Sequence, residues 1–124
     1  MPREIVMQQE GRPYCLGARS GNLVFVSGQL GWDENMKPVS DDVAVQMRKV
    51  MDWIKEILAE AGGTLDDIVM VNVYMSDLNR DYAAMNDVYC QYMGKTNLPA
   101  RATVEVQRLA LDLKVEVSCI AALS

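Results

Sequence analysis

Residues 40–77 read "SDDVAVQMRKVMDWIKEILAEAGGTLDDIVMVNVYMSD", and within them the hydrophobic period switches once, from helical to extended. Val43, Met47, Val50, Met51, Ile54, Ile57, Leu58 and Ala61 recur at the i, i+4, i+7, i+8 spacing of one continuous helical face. Ser40 or Asp41 can cap the start, and Gly62-Gly63 can supply a left-handed stop, so the spacing predicts a helix from Ser40 to Ala61. Beyond the glycines, "TLDDIVMVNVYMSD" alternates as a strand. Val69, Val71, Val73 and Met75 fall on one side, and Met70, Asn72 and Tyr74 on the other. Both sides carry apolar character, which places this strand in the interior of a sheet.

The same two signals extend outward. A second helix is predicted from roughly Arg80 to Met93, with Tyr82, Met85, Tyr89, Tyr92 and Met93 on one face and Gly94 ending it. "KTNLP" is a loop, "ARATVEVQRL" a strand, "ALD" a turn and "LKVEVSCIAAL" a last strand. Upstream, "EIVMQ" reads as a short strand and "GRPYCLGARSGN" is broken by Gly and Pro. "NLVFVSGQLGW" is a buried strand whose apolar run ends at Ser27-Gly28, and "DENMKP" is a turn or loop. The order β(ββ)αβαββ, without repeat or linker, implies a single domain over residues 1–124. It is an α+β, two-layer architecture with both helices on one face of a mixed six-stranded sheet. The last two strands carry Val and Ala beyond their helix-facing positions, which suggests that the uncovered face packs on another subunit.

Composition narrows the chemistry. Seventeen acidic and twelve basic residues leave a net charge of −5, with no Lys/Arg cluster, so no nucleic acid is expected as a partner. The chain has no histidine. That excludes the usual acid/base near pH 7, His-dependent nucleophile pairs and histidine zinc sites. Any proton transfer must use carboxylates, Tyr, Lys, Cys or water. Cys15, Cys90 and Cys119 form no CxxC pair and an odd set, which reads as buried reduced thiols in an intracellular, cytoplasmic protein. "MPREIVMQQE" has no apolar core of a signal peptide, and no run reaches membrane-spanning length, so no membrane partner is expected. No metal-ligand pattern or phosphate-binding loop is present.

A few residues stand out against this background. Arg101, in "LPARATVEV", follows a proline that holds the chain extended and begins a strand. Its planar fork suits a carboxylate or phosphate, though a surface or interface arginine is the plainer reading. Glu116 sits between Val115 and Val117, either outward and solvated or lining a pocket where it could take a proton. Ser27, Gly28 and Gln29 end a buried strand, where Gly permits close approach and Ser and Gln offer hydrogen bonds. Tyr14 follows Pro13 in a loop and either lies against a pocket or covers core. Asn86 lies at i+4 from Tyr82, either a buried hydrogen-bonding group or a fringe residue.

Together these segments resemble the RidA/YjgF family of small trimeric imine deaminases, also called L-PSP or translation-inhibitor proteins. "NLVFVSGQLGWD" resembles the family's strand-SGQ segment, and "QMRKVMDWIKEILAEAGGTLDDIVMVNVYMSDL" its first helix, Gly stop and strand. "YAAMNDVYCQYM" is similar to its second helix, and "LPARATVEVQRLALDLKVEVSCIA" to its C-terminal signature, the most specific of the four. The resemblance implies a chorismate-mutase-like fold and a homotrimer with a ligand cleft at each subunit interface. It also implies hydrolysis of 2-enamine/2-imino acids, such as 2-aminoacrylate and 2-iminopropanoate, to 2-oxo acids and ammonium, without a cofactor or metal. On the family pattern Arg101 binds the substrate carboxylate, and Glu116 matches the Glu of the final strand. Ser27 matches the Ser of SGQ, with Gly28 beside it, Asn86 the Asn of the second helix, and Tyr14 the Tyr of the N-terminal loop.

One position departs from the pattern. Many members carry Cys two residues after the motif Arg, where this chain has Thr103. Imine hydrolysis needs no thiol nucleophile, because a protonated imine is already electrophilic. Arg101 would position the substrate, Glu116 would orient or deprotonate water, and Ser27 and Asn86 would stabilise the amino group of the intermediate. The alternatives are a non-catalytic ligand-binding or chaperone-like trimer, and an endoribonuclease, against which the acidic balance and the missing histidines weigh.

Overall fold

In the computed structural model, which describes residues 3–124, the apolar stripe of residues 43–58 becomes helix α1 (Val43–Glu60). Val43, Met47, Val50, Met51, Ile54, Ile57 and Leu58 are all buried on it. Its cap is Asp42 rather than Ser40 or Asp41. The Asp42 carboxylate accepts from the Val45 amide at 3.1 Å, while the Ser40 hydroxyl oxygen accepts from the Asp42 amide and steadies the cap. Gly62, at φ +82°, makes the stop. A 3-10 turn at Leu65–Asp67, closed by a reciprocal Thr64–Asp67 capping box, delays the strand until Ile68.

Six strands form one sheet in the order β1-β2-β3-β6-β4-β5: β1 (Glu4–Met7), β2 (Gly17–Ser20), β3 (Leu23–Leu30), β4 (Ile68–Met75), β5 (Ala100–Glu105) and β6 (Val115–Ala122). β4 lies inside the sheet as its two-sided apolarity requires, with β6 antiparallel on one side and β5 parallel on the other. A register shift between Ile68 and Met70 takes Val69 out of the alternation, leaving it half exposed while Val71, Val73 and Met75 are buried. β2 falls within the Gly/Pro-broken segment and joins β1 and β3 as antiparallel neighbours.

The second helix, α2 (Leu78–Met93), starts two residues earlier than expected because Asp77 caps it, accepting from the Arg80 amide at 3.0 Å. Gly94 ends it as expected, at φ +80°. Met85, Val88 and Tyr89 are buried on this helix, whereas Tyr82 is 39% exposed and lies outside the core face to which its spacing assigned it.

The core lies between the helices and one sheet face, where Val24, Val26, Val71, Val73, Val115, Val117 and Cys119 meet the α1 stripe. Removing a large side chain here, as in Ile57→Ala, costs about 2–5 kcal/mol. Gln46 is buried within this layer. Its Oε1 accepts from the Lys114 amide and its Nε2 donates to the Ser40 carbonyl, tying α1 to the start of β6. Among the described residues no helix covers the other sheet face. It presents Phe25 and Val104, both more than two-fifths exposed, with Ile120, Tyr74 and Glu116 between them. Of the cysteines only Cys119 is buried; Cys15 and Cys90 are half-buried, which corrects the expectation of three buried thiols.

Candidate active site

Arg101 lies near the start of β5, the terminal strand, paired with Val71 of β4. Cross-strand partners share a sheet face, and Val71 is buried under the helices, so Arg101 points to the helical side. There α2 meets it with a stripe of three residues. Nη1 of Arg101 donates to Asn86 Oδ1 at 2.8 Å, and Nη2 donates to the Tyr82 hydroxyl oxygen at 2.7 Å. The guanidinium also lies 4.6 Å from the centroid of the Tyr89 ring and 5.7 Å from that of Tyr82. Two hydrogen bonds and two ring faces fix the fork, and its remaining N–H groups have no hydrogen-bond partner among the described residues. Thr103, two residues on, takes the same side and lines a groove of ≈ 480 Å³ with Leu78, Asn79, Tyr82 and Ala83.

Ser27, Gly28 and Glu116 form a second group on the uncovered face. Glu116 pairs with Leu30 of β3 and Tyr74 of β4. Between Val26 and Gln29 the register of β3 shifts, and Gly28 sits in that irregularity under the Glu116 side chain. A Cβ on Gly28 would overlap the Glu116 carboxylate, meeting Cδ at 2.9 Å, so only glycine leaves that carboxylate its place. Burial pushes the Glu116 carboxyl above its ordinary value. The Ser27 hydroxyl donates to the Cys15 carbonyl at 2.7 Å, which leaves its lone pairs free to accept. Tyr14, 41% exposed, lines a groove of ≈ 570 Å³ with Cys15 and Ser27.

The structure therefore brings the sequence-selected residues together as two sets rather than one. Arg101, Asn86 and Thr103 share the helical side of the sheet at its β5 edge. Tyr14, Ser27, Gly28 and Glu116 lie on or beside the other face, toward the β1–β3 side. β3 is three strand spacings from β5, about 14 Å, and β6 is two, about 10 Å. Sequence reasoning missed Tyr82 and Tyr89 as partners of Arg101. Their signal was the i, i+4, i+7 spacing of Tyr82, Asn86 and Tyr89, which places all three on one helix face.

Among the described residues no group of three or more His, Cys, Asp or Glu side chains could hold a metal ion, and no helix is long and apolar enough to cross a membrane. The Cys119 thiol is pushed up to about 12 by burial, so it is not a nucleophile near neutral pH.

Comparison with known proteins decides the family. The model of the family described as Endoribonuclease L-PSP matches residues 8–123. The chain belongs to this family, that of the RidA/YjgF proteins. It is 41% identical to a RutC family protein of Pyrococcus abyssi, over 98% of each chain. It is 40% identical to the 2-iminobutanoate/2-iminopropanoate deaminase of Escherichia coli K12, over 88% of this chain and 86% of that one. Among solved structures it is similar to the YjgF gene product of E. coli, at TM-score 0.86 and 36% identity, over 96% of this chain and 98% of the other. The L-PSP family thus includes members named as imine deaminases, and the mixed six-stranded sheet with two helices is the fold of its RidA/YjgF relatives.

Proposed function

We propose that this protein is a cofactor-independent deaminase that hydrolyses 2-imino acids and their 2-enamine tautomers to 2-oxo acids and ammonium. The observation that carries the reading is the fixed guanidinium of Arg101, oriented by Asn86 and Tyr82 and stacked on Tyr89, with donors to spare at an open edge. That arrangement suits a carboxylate, which every substrate of this class carries.

Two sets of residues on opposite sheet faces act on one small molecule only if protomers supply them jointly. The protein accordingly works as a homotrimer, with the Arg101 set of one protomer facing the Glu116 set of the next across an interface. The exposed Phe25 and Val104 on the helix-free face support burial against another copy.

The chemistry follows from the parts. Arg101 holds the carboxylate and so positions the iminium carbon. Glu116 in its anionic form takes a proton from water as the oxygen adds to that carbon, giving a tetrahedral amino alcohol. Ser27, its hydrogen committed to Cys15, accepts from the amino group. Protonation of nitrogen and collapse of the intermediate break the C–N bond. The iminium ion and one water become the 2-oxo acid and ammonium. Thr103 takes no covalent part, and none is required.

The test is release of ammonium and 2-oxo acid from freshly generated 2-aminoacrylate. Arg101→Ala should lower kcat/KM by about 100-fold or more, the loss of a charge-assisted pair worth about 3 kcal/mol. An Arg101→Ala variant that performs like wild type removes the carboxylate clamp. Binding of 2-oxo acids without imine hydrolysis would leave a ligand-binding trimer instead.

A further inference from the structure

Arg12 lies in the loop between β1 and β2, two residues before Tyr14. Its guanidinium stands 5.9 Å from the centroid of the Tyr14 ring and 5.7 Å from that of Trp32. Trp32 is itself buried, packed in a small apolar cluster with Leu30 and Leu113, so one of the two rings is held in place. Stacking on two rings holds a side chain that would otherwise sample many rotamers. Among the described residues the Arg12 guanidinium makes no ion pair, and no side-chain hydrogen bond engages it. Glu10 and Glu34 line an adjoining groove with it, and neither comes within ion-pair distance.

The groove on its other side is the one containing Tyr14, Cys15 and Ser27. Arg12 and Arg3 both line it, and no carboxylate does. In a chain of net charge −5, a groove with two cations and no acid is a local reversal of the overall balance. The substrate carboxylate is already assigned to Arg101, so a second cation on the facing wall is surplus for an imino acid with an apolar side chain. Its five N–H donors match one more carboxylate.

We infer that Arg12 is a specificity residue, and that it selects dicarboxylic 2-imino acids, whose acidic side chain it receives while Arg101 holds the carboxylate next to the imine. The inference rests on the reading that the Tyr14–Ser27 groove and Arg101 face each other in one site. It deepens that reading by naming the substrate class.

Stable 2-oxo acids separate the two statements. Calorimetric titration of the full chain with 2-oxobutanoate and with 2-oxoglutarate compares one carboxylate with two. Wild type should bind 2-oxoglutarate about tenfold more tightly, the effect of one charge-assisted contact at a partly exposed site. Arg12→Gln should bring the two affinities within about twofold of each other. Circular dichroism checks that this loop variant is folded. Equal affinities in wild type, or a preference that survives Arg12→Gln, overturn the inference and leave imine hydrolysis standing. Failure of wild type to bind either acid, or binding that Arg101→Ala does not weaken, overturns both.

Discussion

Gly28→Ala is the substitution that separates the placement of Glu116 from the stability of the fold. An added Cβ meets Glu116 Cδ at 2.9 Å and Cγ at 3.2 Å and overlaps the carboxylate oxygen beyond them. The backbone at Gly28 is not in the left-handed region, so alanine brings no conformational strain of its own. The obstructing atoms are the far end of a flexible side chain. Glu116 therefore yields by leaving its rotamer, at about 1 kcal/mol. In the proposed mechanism activity is far more sensitive, since a displacement of about 1 Å in a catalytic group lowers the rate about 100-fold. The expected result is a folded protein with a slightly lower urea midpoint and kcat/KM for imine hydrolysis reduced about 100-fold. Midpoints must be compared at one protomer concentration, because the proposed trimer would contribute to stability. In a Glu116→Ala background the overlap is gone, so the stability cost of Gly28→Ala should vanish and no further activity should be lost. Wild-type activity in Gly28→Ala, or an equal stability cost in both backgrounds, would refute the placement of Glu116 over Gly28.

Other consequences follow from the same geometry. Tyr82→Phe keeps the ring beside Arg101 but removes the hydroxyl that Nη2 uses, so KM should rise about fivefold to tenfold with little change in kcat, and an unchanged KM contradicts the proposal that Tyr82 orients Arg101 for the substrate carboxylate. Burial raises the Glu116 pKa, and its proposed role as base requires the ionised form, so kcat/KM should climb with pH through a value above the ordinary 4.5 and then level off. Glu116→Gln should remove that limb. Stability has the opposite sign: the folded state holds this proton more tightly than the unfolded chain. Stability therefore falls as pH rises from the ordinary value through the raised one, a slope that Glu116→Gln abolishes in urea titrations. The Tyr89 hydroxyl is buried without a partner among the described residues, so Tyr89→Phe should leave Tm unchanged or higher, and a loss of more than about 2 kcal/mol would show that the hydroxyl is bonded in solution.

The parts of this protein that were legible in its sequence are those written as a long period. The α1 stripe and the two-sided apolarity of β4 each repeat often enough to specify an element. The short β2, "GARS", has four residues and no hydrophobic alternation, so only its pairing with β1 and β3 makes it a strand. Val69 left its expected face because of a register shift, a property of pairing rather than of local sequence. Tyr82 looked like a core residue because an aromatic on a helical period ordinarily is one. It lies at the margin of the stripe, where its hydroxyl reaches Arg101. Arg101 and Glu116 were each ambiguous alone and drew their proposed roles from the family pattern. Their separation onto opposite faces depends on β5 running parallel beside β4 at the sheet edge, which no single segment records.

If each active site is completed by two protomers, mixing two defective variants restores activity. Arg101→Ala and Glu116→Gln should each be nearly inactive alone. Unfolded together in equal amounts and refolded, they should recover about a quarter of wild-type activity, because random assembly unites an intact Arg101 set with an intact Glu116 set at one interface in four. Sedimentation of the mixture should report trimers. A mixture no more active than its components would contradict a site shared between protomers.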